Sequence, residues 1–141
     1  MAKLDDVSWY TDSSETEQGA ATHIGMFVSW LIHNDLWGSF PGIDWSSAVS
    51  LVRKRSMSGR TFFLERCDGK LMSEMLTEEG AAFSEAYYLK SYLKDFQRVL
   101  TKDAKSDDLV DDTWENYDRL ANVISERHAK WKARKPWWKL W

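Results

Sequence analysis

Three histidines, one cysteine and 22 carboxylates are the groups in this 141-residue sequence best suited to catalysis or metal binding. His23 and His33 are ten residues apart. On one helix that is about three turns, roughly 15 Å at 1.5 Å per residue, too far to share a metal ion. No Cys/His pair has zinc spacing, no glycine-rich loop is laid out to cradle a phosphate, and no serine sits in a nucleophile elbow. His23, beside Thr22 near a helix start, reads as a hydrogen-bonded structural residue, because a lone imidazole lacks the partners that acid–base catalysis needs. His128, on an apolar helix stripe, reads the same way. Cys67 precedes Asp68 rather than a cation or imidazole that would activate its thiol, so it reads as packing.

The carboxylates are many, and their patterns have simpler causes. Glu78 and Glu79 suit the positive end of a helix. Asp103, Asp107, Asp108, Asp111 and Asp112 make the most acidic stretch, but they lack the alternating oxygen ligands, central Gly and closing Glu of a calcium loop. The stretch reads as a solvated loop and as a candidate contact surface, with Glu15 and Glu17 of the acidic lead-in as companions. A second candidate surface is the basic end carrying Trp137, Trp138 and Trp141. Three readings stand for it: folding back on the core, a protein interface, or weak contact with a membrane surface. The expectation is thus no catalytic residue, no metal ligand and no cofactor.

The elements that must position these groups follow from apolar spacing. Between Gly19 and Leu36, Ile24, Phe27, Val28 and Leu31 recur at helical intervals, while Met26, Trp30 and Ile32 fill the other faces. A helix apolar on most sides is the centre of a bundle. After the breaker-rich Trp37 to Gly42, Asp44 is placed to cap a helix beginning near Trp45, with Ala48, Leu51 and Val52 on one face. Ser58 caps Gly59 to Arg66, and Asp68-Gly69 stops it. Thr77-Glu78-Glu79 opens a long helix whose stripe is read as Ala82, Ala86, Leu89, Leu93, Phe96 and Leu100, widened by Tyr87, Tyr88 and Tyr92. Asp112 or Thr113 caps the last helix, with Trp114, Tyr117, Ala121, Ile124, His128 and Trp131 on its stripe. Nothing alternates as a strand over more than four residues, so sheet content is low or nil.

The predicted fold is all-α: a compact bundle of about five helices around the hydrophobic helix of residues ~19–36. One domain covers 1–135, with an irregular acidic lead-in pinned by Trp9, and 136–141 form a Trp-rich basic tail. No apolar run reaches transmembrane length and no signal-type stretch opens the chain, so the expected setting is cytoplasmic. The net charge of −3 hides an asymmetry: all 22 acids lie within residues 1–127 against 14 Lys/Arg, while 128–141 hold five basic residues. An acidic body argues against a nucleic-acid partner and suits a basic protein.

Several strings together resemble a family of small uncharacterised bacterial proteins. They are Ala21-Thr22-His23-Ile24-Gly25-Met26-Phe27 leading to Trp30; Gly59-Arg60 through Cys67-Asp68-Gly69-Lys70-Leu71; Ala86-Tyr87-Tyr88; Asp112-Thr113-Trp114-Glu115-Asn116-Tyr117-Asp118; and Lys135-Pro136-Trp137-Trp138-Lys139. The resemblance runs from about residue 5 to the end and implies no activity. It marks His23, Trp30, Arg60, Cys67, Asp68, Gly69, Trp114 and Tyr117 as structural motif residues. In size, acidity and setting such proteins are similar to the immunity proteins of bacterial toxin systems. That implies a non-catalytic protein-binding domain that neutralises a cognate toxin by occlusion, with a basic toxin domain as partner. Two rival readings stay open: a peripheral membrane or scaffold protein acting through the tail, and an unrecognised enzyme, which a cleft holding His23, Arg60 and an acid would favour.

Overall fold

The computed structural model describes residues 3–10, 17–101 and 110–134. Glu15, Asp103, Asp107, Asp108 and the 136–141 tail with Trp137, Trp138 and Trp141 lie outside the described residues. The fold is helical, with one two-stranded sheet among the described residues.

Helix α1 (Glu17–His33) is the element around which the others pack, as its all-round apolarity requires. Every residue from 19 to 32 is buried, Thr22, His23 and Ser29 included. Helices α2 (Ser46–Arg53) and α3 (Gly59–Arg66) lie against it. At the α1–α3 crossing, a Cβ built on Gly25 would collide with the Arg60 backbone, and one on Gly59 with the Gly25 carbonyl. Two glycines therefore set how closely these helices approach. Ser58 caps α3, accepting a 3.0 Å hydrogen bond from the Thr61 amide. Asp68 (φ 55°) and Gly69 (φ 69°) then turn the chain out of α3.

Residues 78–100 form one continuous helix, α4, opened by Thr77, whose hydroxyl accepts from the Gly80 amide at 3.0 Å. Its middle is unusual: α-helical Glu78–Phe83 passes into a π-helical stretch, Ser84–Tyr92, before returning to α over Leu93–Leu100. Helix α5 (Trp114–Ala133) is capped by Thr113, which accepts from the Asn116 amide at 3.1 Å. Its stripe is as expected, with Leu120 added to Tyr117 and Ile124 in the core.

Two expectations fail. The lead-in is not irregular over residues 3–10: strand β1 (Lys3–Asp6) pairs antiparallel with β2 (Lys70–Met72), and a 3₁₀ turn follows at Val7–Trp9. Leu4, Asp5, Asp6 and Val7 are its buried residues, while Trp9 is exposed and pins nothing. A register shift between Lys3 and Asp5 lets consecutive Leu4 and Asp5 both turn inward, so the strand has no alternation to read. The second failure is the α4 stripe. Ala82, Ala86, Leu89 and Leu93 are exposed; Phe83, Ser84, Tyr87, Tyr88, Tyr92, Phe96 and Leu100 face the core. A π-helix bonds i to i+5, turns less per residue than an α-helix, and so rotates the tyrosines inward and the leucines outward.

Candidate functional site

Those displaced leucines rim a cleft of about 230 Å³ between β1, α1 and α4. Trp9 (57% exposed), Leu89 (55%) and Leu93 (37%) are its apolar edge. Asp5, Tyr10, His23, Tyr88 and Tyr92 line its interior.

Each interior side chain is held for a local reason. Asp5 is 2% exposed because the strand irregularity turns it inward. It accepts hydrogen bonds from the Tyr10 hydroxyl at 3.0 Å, the Asp6 amide at 2.8 Å and the Tyr88 hydroxyl. Asp6 caps the 3₁₀ turn that carries Trp9, accepting from the Ser8 amide at 2.9 Å and pairing with Lys3 at 3.0 Å. Burial opposes ionisation of Asp6, but the bonds from Ser8 and Lys3 outweigh it and keep the carboxyl below its ordinary value. Tyr92 donates to the His23 carbonyl, fixing the π segment to α1. Burial, with the Asp5 charge behind it, pushes the Tyr88 phenol well above its ordinary value, so it stays a hydrogen-bond donor.

His23 is buried at the back of the cleft, and one of its two ring nitrogens is left unanswered among the described residues. Its ring is packed among Tyr10 (centroids 4.8 Å), Phe96 (5.8 Å) and Tyr92 (6.5 Å). Yet its buried Nε2 has no hydrogen-bond partner among the described residues, and Asp5 Oδ2 lies 3.7 Å away, beyond hydrogen-bonding reach.

The other two histidines are engaged. His33 Nε2 lies 3.1 Å from the Val52 carbonyl and Nδ1 2.6 Å from the Tyr117 hydroxyl. A carbonyl only accepts, so the hydrogen is on Nε2 and Nδ1 receives the phenol's. Burial lowers the pKa of His33, partly opposed by the Val52 bond. This histidine borders a shallow polar groove of about 330 Å³ whose arginines are already paired, Arg53 to Asp35 at 2.7 Å and Arg55 to Asp118 at 2.6 Å. His128 pairs with Glu79 at 2.9 Å. Cys67 is buried, and burial pushes its thiol up to about 12, which fits packing rather than nucleophilic chemistry.

Of the expected contact residues, Glu17 opens α1, Asp111 is exposed, and Asp112 is half-buried and paired with Arg60 at 3.3 Å. Arg60 also donates to Thr22 at 3.2 Å and lines no part of the cleft, so His23 and an acid meet there without it. Trp30 donates to Ser125 at 3.0 Å; Trp114 packs edge-on against Tyr117 at 5.4 Å. Among the described residues no three His, Cys, Asp or Glu side chains gather as a metal site, and no helix is long and apolar enough to cross a membrane.

Sequence reasoning missed Asp5, Tyr10 and the rim. One signal was readable: Ser84, Tyr88, Tyr92, Phe96 and Leu100 recur at strict intervals of four, wider than the 3.6 of an α-helix. No curated protein and no solved structure matches the chain. A family model does match, over residues 3–110: the chain belongs to the family described as a domain of unknown function, DUF7832.

Proposed function

We propose that this chain is a non-catalytic protein-binding domain whose contact centre is the cleft rimmed by Trp9, Leu89 and Leu93. The observation that carries the reading is that rim: three large apolar side chains stand exposed around one concavity. Grouped apolar exposure marks contact surfaces, and a tryptophan beside a pocket is the usual kind of interface anchor. The whole cleft also falls within the residues that the family model matches. The finer reading is toxin neutralisation by occlusion. It rests on the acidic body and on the fact that occlusion needs a stable scaffold and a complementary face but no chemistry. The test is to capture partners of the N-terminally tagged chain from its host at low and high salt. Trp9→Ala should release the specific partner, by about 2 kcal/mol or more for an interface anchor. Co-expression should then rescue growth if that partner is a toxin. A partner retained in full by Trp9→Ala would remove the cleft from the model.

A second reading, acid–base catalysis, is favoured by the pairing of His23 with Asp5 in a cleft. Against it, the Tyr10 and Tyr88 hydroxyls both donate into Asp5, and no activated nucleophile stands among the cleft residues.

A further inference from the structure

We infer that the cleft is a receptor for one arginine side chain of the partner. The inference rests on the protein-binding reading and names what the partner presents. Asp5 is the reason. A buried carboxylate needs a counter-charge, and at Asp5 every hydrogen bond among the described residues comes from a neutral donor. Its one ion-pair neighbour there is His23, at 3.7 Å. With the ring hydrogen on Nδ1, His23 Nε2 becomes a second acceptor beside Asp5 Oδ2, and it lacks a donor of its own. Two acceptor atoms side by side, a carboxylate oxygen and an imidazole nitrogen 3.7 Å apart, match the forked N–H pair of a guanidinium.

The rest of the cleft fits the same group. Lys3 Nζ already lies 5.8 Å from the Trp9 ring centroid, so that ring borders a site where a cation is tolerated. Leu89 and Leu93 offer an aliphatic wall for the methylene stem. A volume of about 230 Å³ is below the roughly 300 Å³ at which cofactor and drug-sized sites begin, and it suits a single side chain. Half-buried Tyr10 is the group that an entering guanidinium displaces from Oδ2.

The test titrates the full chain with N-acetyl-arginine amide, followed by NMR of the His23 ring and the Trp9 indole. N-acetyl-citrulline amide (neutral, same shape) and N-acetyl-norleucine amide serve as controls. Arginine should saturate and bind about tenfold more tightly than citrulline, because a charged donor set is lost in the latter. Asp5→Asn removes the charge but risks the fold, so exposed Leu89 supplies independent variants. Leu89→Glu should tighten arginine binding several-fold and Leu89→Lys should weaken it by a similar factor. Equal binding of citrulline or norleucine, equal effects of the two Leu89 variants, or no saturation by arginine would each overturn the inference. If arginine fails while Trp9→Ala still releases a captured protein, only the arginine assignment falls. If arginine binds while the captured protein ignores Trp9→Ala, it is the protein-binding reading that falls.

Discussion

Asp5 and Asp95 are both buried carboxylates, 2% and 3% exposed, and adjacent tyrosines of the π segment serve them: Tyr88 donates to Asp5 and Tyr87 to Asp95, the latter at 2.7 Å. Their surroundings then diverge. Arg127 grips Asp95 through two 3.0 Å bonds, and Arg98 approaches to 3.4 Å. Burial opposes ionisation of Asp95, but Arg127 and Tyr87 outweigh it and hold the carboxyl below its ordinary 3.8. Asp5 has neutral donors and a histidine beyond hydrogen-bonding distance. The first cluster is closed: it joins α4 to α5 and its charge is answered within the chain. The second is open, and it lies under the exposed apolar rim. A buried charge answered locally is architecture; one left unanswered beneath a cleft is a place for something else to bind.

The largest effect should come from breaking the closed cluster. Arg127→Met leaves Asp95 with Tyr87 and the single longer contact to Arg98, and should lower stability by about 2 kcal/mol, below the value for a fully buried pair because Arg127 is partly exposed. Urea unfolding at neutral pH measures it. A loss within a few tenths of a kcal/mol would mean that Asp95 is not held by Arg127. The same cluster predicts acid lability. A depressed carboxyl contributes stability above its unfolded value of about 3.8 and loses it as pH falls through the lower folded one. Asp95→Asn should flatten that acid arm.

A sharper comparison deletes one hydroxyl at a time. Tyr87→Phe leaves Asp95 with its arginines and should cost about 1 kcal/mol. Tyr88→Phe takes a donor from a carboxylate that has no arginine, and should cost about 1.5 kcal/mol, since removing a partner from a buried carboxylate leaves its desolvation uncompensated. Equal losses in the two variants would sink the distinction between the open and closed clusters.

How much of this was legible in the sequence follows from which interactions are local. The central helix, the Ser58, Thr77 and Thr113 caps and the Tyr117–Ile124 stripe depend on spacing and on side chains within one turn, so the letters carry them. The Trp9–Leu89–Leu93 rim is not legible because the apolar spacing of residues 82–100 fits an α-helical period, whereas Ser84–Tyr92 adopts a π-helix. There Phe83, Tyr87, Tyr88 and Tyr92 surround Phe27 with ring centroids 4.7–6.4 Å from it, and ring packing overrides the local preference. Asp5 was hidden because its burial depends on pairing with β2, more than sixty residues away. The wrongly assigned stripe and the cleft are thus one event: turning the tyrosines inward turned the leucines out.

The smallest predicted effect uses the two histidines of α1. His33 is saturated as a neutral ring, and burial lowers its pKa from the usual 6.5. In the unfolded chain the ring takes up a proton as pH falls below about 6.5; in the folded chain it does so only at lower pH. Between those points the unfolded state binds more protons, so stability falls with falling pH. Urea midpoints of the native chain should therefore drop from about pH 7.5 to about pH 5.5, in a range where ordinary carboxyl groups stay ionised. His33→Gln, which keeps an N–H for the Val52 carbonyl, should remove most of that drop at a modest loss of stability. If the variant keeps the whole drop, the titrating group lies elsewhere and His33 is not the source of the pH dependence.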